Sequence, residues 1–185
     1  MTHAMRPIHP QAVPDDPLAV RWVVHTGTQG VVGEVVAAPD PFGALMRDRV
    51  ISLALLETEG IWVWLAPGNT WADCGHKVRE AILESLDLDG WRINGDSADL
   101  LRLVANDVLL GDLADEIHAA DTTVEVVEND ARWLLLDLGQ LDSRDPAAST
   151  ELQQRIETAI RARCPSLRET SRLGGPQSSH FTLSN

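Results

Sequence analysis

The residues 50–65, VISLALLETEGIWVWL, decide the fold of the first half of the chain. They contain two apolar runs of strand length, residues 50–57 and 61–65, separated by the polar and glycine-containing residues 58–60. A connection this short places its two strands side by side and antiparallel. The sequence therefore predicts a β-hairpin.

The second run of this hairpin carries two tryptophans, Trp62 and Trp64, which alternate with Ile61, Val63 and Leu65. Successive side chains of a strand point to opposite faces of the sheet, so both faces of the hairpin are apolar. Either other elements of the chain or a partner protein must cover the tryptophan face. The two indoles are therefore candidate partner contacts, because tryptophan is enriched at binding hot spots.

Upstream of the hairpin, β-branched residues predict strands over residues 20–24 and 31–36. Residues 39–48 have the apolar spacing of a short helix, with Pro41 in its first turn. Downstream, Thr70 can cap a longer helix, whose predicted buried stripe consists of Trp71, Cys74, Val78, Ile82 and Leu86. The polar residues 94–97 then predict a domain boundary.

The second half of the chain repeats the order of a hairpin followed by a helix. Ser97 can cap a helix that is apolar on several sides, and a further helix is expected over residues 112–120. A hairpin is predicted from residues 122–127 and 133–138, and a last helix follows Pro146. An edge strand is expected over residues 166–171.

These elements predict an α+β protein of two small domains, each a few-stranded, mainly antiparallel sheet with helices packed on one face. The expected domains are residues 18–93 and 97–173. The proline-rich residues 1–17 are expected to form a flexible leader, and the small, polar residues 174–185 a flexible tail.

Charge and composition exclude several classes of function. The 185 residues include 28 acidic and 15 basic ones, which give a formal charge of -13, so nucleic acid is not an expected partner. No apolar run approaches the roughly 20 residues that span a bilayer, and residues 1–10 do not resemble an export signal. We therefore expect a cytoplasmic protein without membrane insertion.

The two cysteines, Cys74 and Cys164, fall in different predicted domains, which argues against a disulfide framework.

Candidate chemical groups are few. Cys74 and His76 lie close together near a helix N-terminus, where a thiol can become reactive or bind metal, and Cys164 ends the stripe of the last helix. All three are weak metal candidates, since both cysteines fall on apolar stripes, where a buried structural thiol is common. No serine-nucleophile or phosphate-binding motif occurs. The sequence predicts no catalytic residue, and we expect that the protein is not an enzyme.

The order of these motifs resembles two known domains. The first half is similar to the N-terminal domain of Nfu-type proteins in Pro14-Asp15-Asp16-Pro17, Arg21-Trp22-Val23, Ala38-Pro39-Asp40-Pro41, Leu45, the hairpin and the helix from Trp71 to Leu86. The second half resembles the NifU C-terminal domain in Asp115-Glu116-Ile117, Val124-Glu125-Val126-Val127, residues 133–138, Gly139, Pro146, Leu152 and Ile156-Glu157. In that family a Cys-x-x-Cys pair lies between the glycine and the proline, and two protomers share a 4Fe–4S cluster.

This chain departs from the family at the cluster site. The resemblance places the two cysteine positions near Leu141 and Arg144, with one residue inserted before Pro146. Neither residue can ligate a cluster, because iron–sulfur clusters are held by thiolates and a guanidinium has no lone pair to donate. The nearby Asp142 and Asp145 are hard ligands at a spacing that matches no known metal loop. We therefore expect no cofactor.

The resemblance implies a NifU-like accessory protein in iron–sulfur cluster or metalloenzyme assembly, which acts through protein contacts without binding a cluster. The partner would be an assembly factor or a metalloenzyme client. Two alternatives remain open: a carrier of a cluster or metal that uses Cys74 and Cys164 across a dimer, and a dedicated subunit or chaperone of one redox enzyme such as a hydrogenase. The oligomeric state is not determined by the sequence. The predicted partner contacts are Trp62, Trp64, Leu100, Leu103 and Val104.

Overall fold

The computed structural model describes residues 6–174, and the chain divides into two compact units, Met1–Gly95 and Asp96–Asn185. Both units contain strands and helices, so the α+β class is confirmed. The division falls within the polar residues 94–97.

The first unit is built on a six-stranded antiparallel sheet in the order β1-β2-β5-β4-β3-β6. Its strands are β1 His9–Ala12, β2 Ala19–Val23, β3 Gly33–Ala37, β4 Ile51–Glu57, β5 Gly60–Leu65 and β6 Arg92–Asn94. The predicted hairpin is confirmed as the pair β4–β5, whose register aligns Leu55 with Trp62 and Leu56 with Ile61.

Two helices, α1 Phe42–Arg47 and α2 Trp71–Ser85, pack on one face of this sheet. The core on this face includes one side chain from β2, three from β5, one from α1 and two from α2: Trp22, Ile61, Val63, Leu65, Phe42, Val78 and Ile82. Trp62 and Trp64 lie on the opposite face, as the alternation along β5 predicts. The stripe of α2 is buried at Val78 and Ile82 but only partly at Trp71 and Cys74.

The sheet extends beyond the predicted strands at both sides. Residues 9–12 were expected to belong to a flexible leader, which is wrong, because they pair with β2 in the register His9↔Val23. Pro10 argues against a strand in the sequence. An edge strand nevertheless tolerates a proline, because one side of its backbone has no partner strand. The other edge, β6, is only three residues long, too short for a periodic pattern to predict.

The N-cap of α2 follows the sequence prediction. Thr70 has extended backbone angles, and its Oγ1 accepts a hydrogen bond from the backbone N–H of Asp73 at 3.2 Å. This bond satisfies one of the amides that the first turn of a helix leaves unpaired.

We expect Thr70→Ala to lower the free energy of unfolding by about 1 kcal/mol, the usual effect of removing an N-cap side chain. Thr70→Ser keeps the hydroxyl and should stay within about 0.5 kcal/mol of the parent. Urea unfolding followed by far-UV circular dichroism measures both variants. Equal losses for alanine and serine would contradict a capping role for the hydroxyl.

The second unit contains a three-stranded sheet in the order β7-β8-β9, with helices both before β7 and between β8 and β9. Its elements are α3 Ala98–Asp107, a π-helical turn Val108–Asp112, α4 Ala114–Ala119, β7 Glu125–Asn129, β8 Trp133–Asp137, α5 Leu141–Arg144, α6 Pro146–Arg163 and β9 Glu169–Arg172. The pair β7–β8 is the predicted antiparallel hairpin, whereas β8 and β9 run parallel. A parallel neighbour requires the chain to return along α6.

Helix α3 contacts β7 and α6. Buried apolar residues of this unit include Leu134 and Leu136 on one face of β8, Leu138 directly after it, and Ile156 and Ile160 along α6. The predicted stripe of the last helix is thereby confirmed. Asp96, which precedes α3, is ion-paired with Arg132 in the turn between β7 and β8, and this hydrogen bond lowers the pKa of Asp96.

The predicted tail, residues 174–185, lies outside the described residues from residue 175 onward. Within residues 6–174, no helix has both the length and the apolar character needed to cross a bilayer.

Candidate functional site

The segment 139–146, where the sequence resemblance predicts the cluster site, lies between β8 and α6 of the second unit. It forms a short helix, α5, over Leu141–Arg144. Gly139 introduces this segment with a φ of +59°, a left-handed conformation that favours glycine. Thr122 Oγ1 donates a hydrogen bond of 2.6 Å to the carbonyl of Leu138 and so holds the end of β8 in place.

Asp142 of α5 belongs to a polar triad with Ser149 and Arg172. Its Oδ1 accepts hydrogen bonds from Ser149 Oγ at 2.6 Å and from Arg172 Nη1 at 2.6 Å, while Ser149 Oγ also accepts from Arg172 Nη1 at 2.7 Å. Ser149 is fully buried and Arg172 is largely buried. The carboxylate is therefore neutralised by a guanidinium within the unit and is poorly suited to hold a cation.

The other side chains of the segment are also engaged. Leu141 is buried, and Asp145 caps α6 by accepting a hydrogen bond of 3.0 Å from the N–H of Ala148. Arg144 donates to the carbonyl of Ala120 at 2.5 Å and to Asp121 Oδ2 at 3.2 Å, which connects α5 to the end of α4. Leu141 and Arg144, the two positions at which the resemblance predicts the cysteines, therefore have structural contacts.

The weak metal candidates of the sequence are not brought together into a site. In the described part of the chain, no group of three or more histidine, cysteine, aspartate or glutamate side chains is placed to hold a metal ion. Cys74 and His76 are two positions apart on α2, so they point to different sides of the helix. Cys74 is half-buried with its Sγ 3.9 Å from Asn69 Oδ1, and Cys164 is fully buried with its Sγ 3.1 Å from Ser166 Oγ.

The predicted partner contacts are mostly buried. Trp62, Leu100 and Val104 are at most 3% exposed, whereas Trp64 and Leu103 are partly exposed. Trp64 Nε1 donates a hydrogen bond of 2.8 Å to Asp16 Oδ2. That these residues contact a partner stays a prediction, and for the three buried ones it requires a change of conformation.

A buried ion pair on the tryptophan face of the first sheet was not predicted from the sequence. Arg21 Nε donates a hydrogen bond of 2.7 Å to Glu57 Oε1, which also accepts from Trp62 Nε1 at 3.0 Å. Glu57 is 0% exposed, and the Arg21 guanidinium lies 5.7 Å from the centre of the Trp62 ring. The burial of Glu57 could have been predicted from the alternation of side chains along β4, which places Glu57 on the same face as the buried Leu55.

The π-helical turn, which carries an exposed apolar side chain, was not predicted either. Leu110 is 74% exposed, the largest value among the exposed large apolar residues described. Such turns are rare and are frequent at functional sites. The sequence indicates an excess of apolar residues here but gives no sign of a widened turn.

The comparisons with known proteins identify no relative. No protein-family model, no curated protein and no solved structure matches this chain.

Proposed function

We propose that this protein is a NifU-like accessory factor in iron–sulfur cluster or metalloenzyme assembly, and that it acts through protein contacts without binding a cluster. The proposal rests on the sequence resemblance and on the replacement of the cluster-binding residues. Its partner is a cluster-carrying assembly protein or an apo-metalloenzyme.

One observation carries the proposal: the residues at the expected positions of the cysteine pair are engaged in contacts within the second unit. Leu141 is buried and Arg144 donates hydrogen bonds to Ala120 and Asp121. Next to them, Asp142 is ion-paired with Arg172. These contacts support the proposal because they hold the segment in a defined conformation without metal ligands.

The charge of the chain favours particular partners. With a formal charge of -13, the protein is attracted to basic protein surfaces, and this attraction is screened by salt. The association rate with a basic partner is therefore expected to fall as ionic strength rises.

Anaerobic reconstitution with iron and sulfide tests the absence of a cluster. We expect the purified protein to acquire no stoichiometric 4Fe–4S absorbance and to bind less than about 0.1 iron per chain, because no thiolate lies at residues 139–146. The double variant Cys74→Ser/Cys164→Ser is the matched control. A cluster in the parent that disappears in this variant would overturn the proposal in favour of the carrier across a dimer.

Affinity purification followed by mass spectrometry tests the partner. We expect the co-purifying proteins to include several iron–sulfur assembly factors or apo-clients, and their recovery to fall in high salt. Recovery of one redox enzyme in constant stoichiometry would instead support the dedicated subunit or chaperone. Recovery of proteins unrelated to metal-centre assembly would contradict both.

A further inference from the structure

The sheet of the second unit has two helices on the same face. Asn129 of β7 and Thr170 of β9 both align with the buried Leu134 of β8 and point to its side of the sheet. Asn129 Nδ2 donates a hydrogen bond of 2.8 Å to the carbonyl of Ala98 in α3, and Thr170 Oγ1 accepts one of 2.9 Å from Gln153 Nε2 in α6. Helices α3 and α6 therefore share this face.

The opposite face of the sheet carries an apolar row. Trp133 and Leu135 alternate with the buried leucines of β8, and Leu173 continues the alternation of β9 after Ser171. Trp133 and Leu135 are partly exposed, and Leu173 is 50% exposed. The apolar row is therefore accessible at the surface of the protein.

Carboxylates lie on both sides of this row. Glu128 of β7 aligns with Leu135, and Glu125 aligns with Asp137 at the end of β8. On the other side, Glu169 of β9 aligns with Trp133. Residues that are directly paired point to the same face of a sheet. We call this surface the open face, and it consists of Glu125, Glu128, Trp133, Leu135, Asp137, Glu169 and Leu173.

The glutamates of the open face differ from acidic residues on the helices of the same unit. Glu116 of α4, for example, is ion-paired with Arg155 of α6 at 2.6 Å. Within residues 6–174, Glu125, Glu128 and Glu169 form no ion pair. Their negative charge is not neutralised by side chains of the described chain, so it attracts cationic groups.

Two arginines lie at one end of the open face. The carbonyl of Arg132 accepts a hydrogen bond of 2.7 Å from the N–H of Arg168, which places both at the starts of β8 and β9. Arg132 is already ion-paired with Asp96. The uncompensated negative charge is therefore greatest toward the other end, at Glu125 and Glu128.

An occupant of the open face must supply both apolar and cationic groups. A second copy of the chain would bring the same carboxylates against this face, and like charges repel. Residues 175–185 contain neither lysine nor arginine. Nucleic acid and anionic lipid are repelled by the glutamates, and a small inorganic cation would leave the apolar row uncovered.

We infer that the open face docks a basic, amphipathic segment of a partner protein. Apolar side chains of that segment lie on Trp133 and Leu135, and its lysine or arginine side chains lie beside Glu125 and Glu128. Such a surface combines an apolar centre with a charged rim, as is usual at protein interfaces. This docking surface does not depend on a role in cluster assembly, so either can fail without the other.

Titration of the full chain with short blocked peptides, followed by amide NMR shifts at about 0.15 M salt, tests the inference. We expect a peptide of alternating lysine and leucine to shift the amides of Glu128, Leu135 and Ser171. A peptide of alternating lysine and serine should bind about tenfold more weakly, because it buries no apolar side chain. A peptide of alternating glutamate and leucine should not bind. Equal affinities for the two lysine peptides, binding of the glutamate peptide, or shifts confined to other residues would each overturn the inference.

The double variant Glu125→Gln/Glu128→Gln tests the charges. Both side chains are exposed, so the variant should remain folded and should bind the lysine–leucine peptide about fivefold more weakly. Glu34→Gln/Glu84→Gln is the matched control, because it removes two exposed glutamates of the first unit and changes the net charge equally. Its affinity should change by less than about 1.5-fold. Equal losses in the two double variants would show that only the overall charge attracts the peptide.

Two further arms test the other occupants of the open face. Sedimentation compares the parent with Leu135→Ser, and a dimer that is present in the parent and lost in the variant would assign this face to a second copy. Deletion of residues 175–185 should leave the affinity for the lysine–leucine peptide unchanged. A rise of about tenfold or more would assign the face to that segment and would likewise overturn the inference.

Discussion

Glu57→Gln is expected to lower the free energy of unfolding by about 3 kcal/mol, the largest effect among the substitutions considered for this protein. The change removes the negative charge beside the buried guanidinium of Arg21 and keeps the size of the side chain. Breaking one side of a buried ion pair is strongly destabilising, because the remaining charge has already lost its hydration. Urea unfolding at pH 7 measures the loss.

Glu59→Gln is the matched control on the same hairpin. The Glu59 side chain is exposed and pairs with His25, so its loss should change stability by less than about 0.5 kcal/mol. The double variant Arg21→Met/Glu57→Gln removes both charges of the pair and should recover part of the loss, since the guanidinium that lost the Glu57 carboxylate is also removed. A double variant less stable than Glu57→Gln alone would contradict the ion pair as the cause.

Arg172→Met is expected to have the second largest effect, a loss of about 2 kcal/mol. Arg172 donates to both Asp142 and Ser149, and its removal leaves a partly buried carboxylate without its cation. The segment 139–146 should open locally before the rest of the unit unfolds. Hydrogen exchange measured by mass spectrometry should therefore rise in peptides that cover this segment.

Arg144→Met tests the same segment from its exposed side. The side chain of Arg144 is nearly half exposed and that of its ionic partner Asp121 almost fully exposed, so the expected loss is below about 1 kcal/mol. Hydrogen exchange in the segment should change less than in Arg172→Met. Equal effects of the two variants would show that the buried triad has no special role in holding α5.

Local patterns predicted the elements that depend on local interactions. The hairpin β4–β5 has two apolar strands joined by a short turn that ends at Gly60. Helix α2 has Thr70 as its N-cap and a regular stripe of apolar residues. The same holds for α6, where Pro146 and the spacing of Ile156 and Ile160 agreed. In these stretches propensity, period and boundary residues all favour one structure.

Features that depend on distant residues could not be predicted. Strand β1 forms because it pairs with the free edge of β2, and the sequence of residues 9–12 does not indicate this pairing. The bond between Asp142 and Arg172 joins residues 30 positions apart, and the pair Arg21–Glu57 spans 36 positions. A single sequence indicates which residues can form such bonds but does not indicate their partners.

For the candidate site, the lack of cysteine could be predicted from the sequence, but the local structure could not. The absence of cysteine from residues 139–146 is visible in the sequence. The helix α5 and the triad around Asp142 are visible only in the structure. The family resemblance stays a prediction, and the reconstitution and affinity experiments address its functional part.

The outer strands of the first sheet have a consequence for behaviour at high concentration. Sheets whose borders are long and regular can recruit the same strand from another molecule and grow into fibrils. Here one border contains Pro10, which has no N–H to donate, and the other offers only three residues, Arg92–Asn94. Together with mutual repulsion between highly acidic chains, these borders should keep the folded protein from assembling into amyloid.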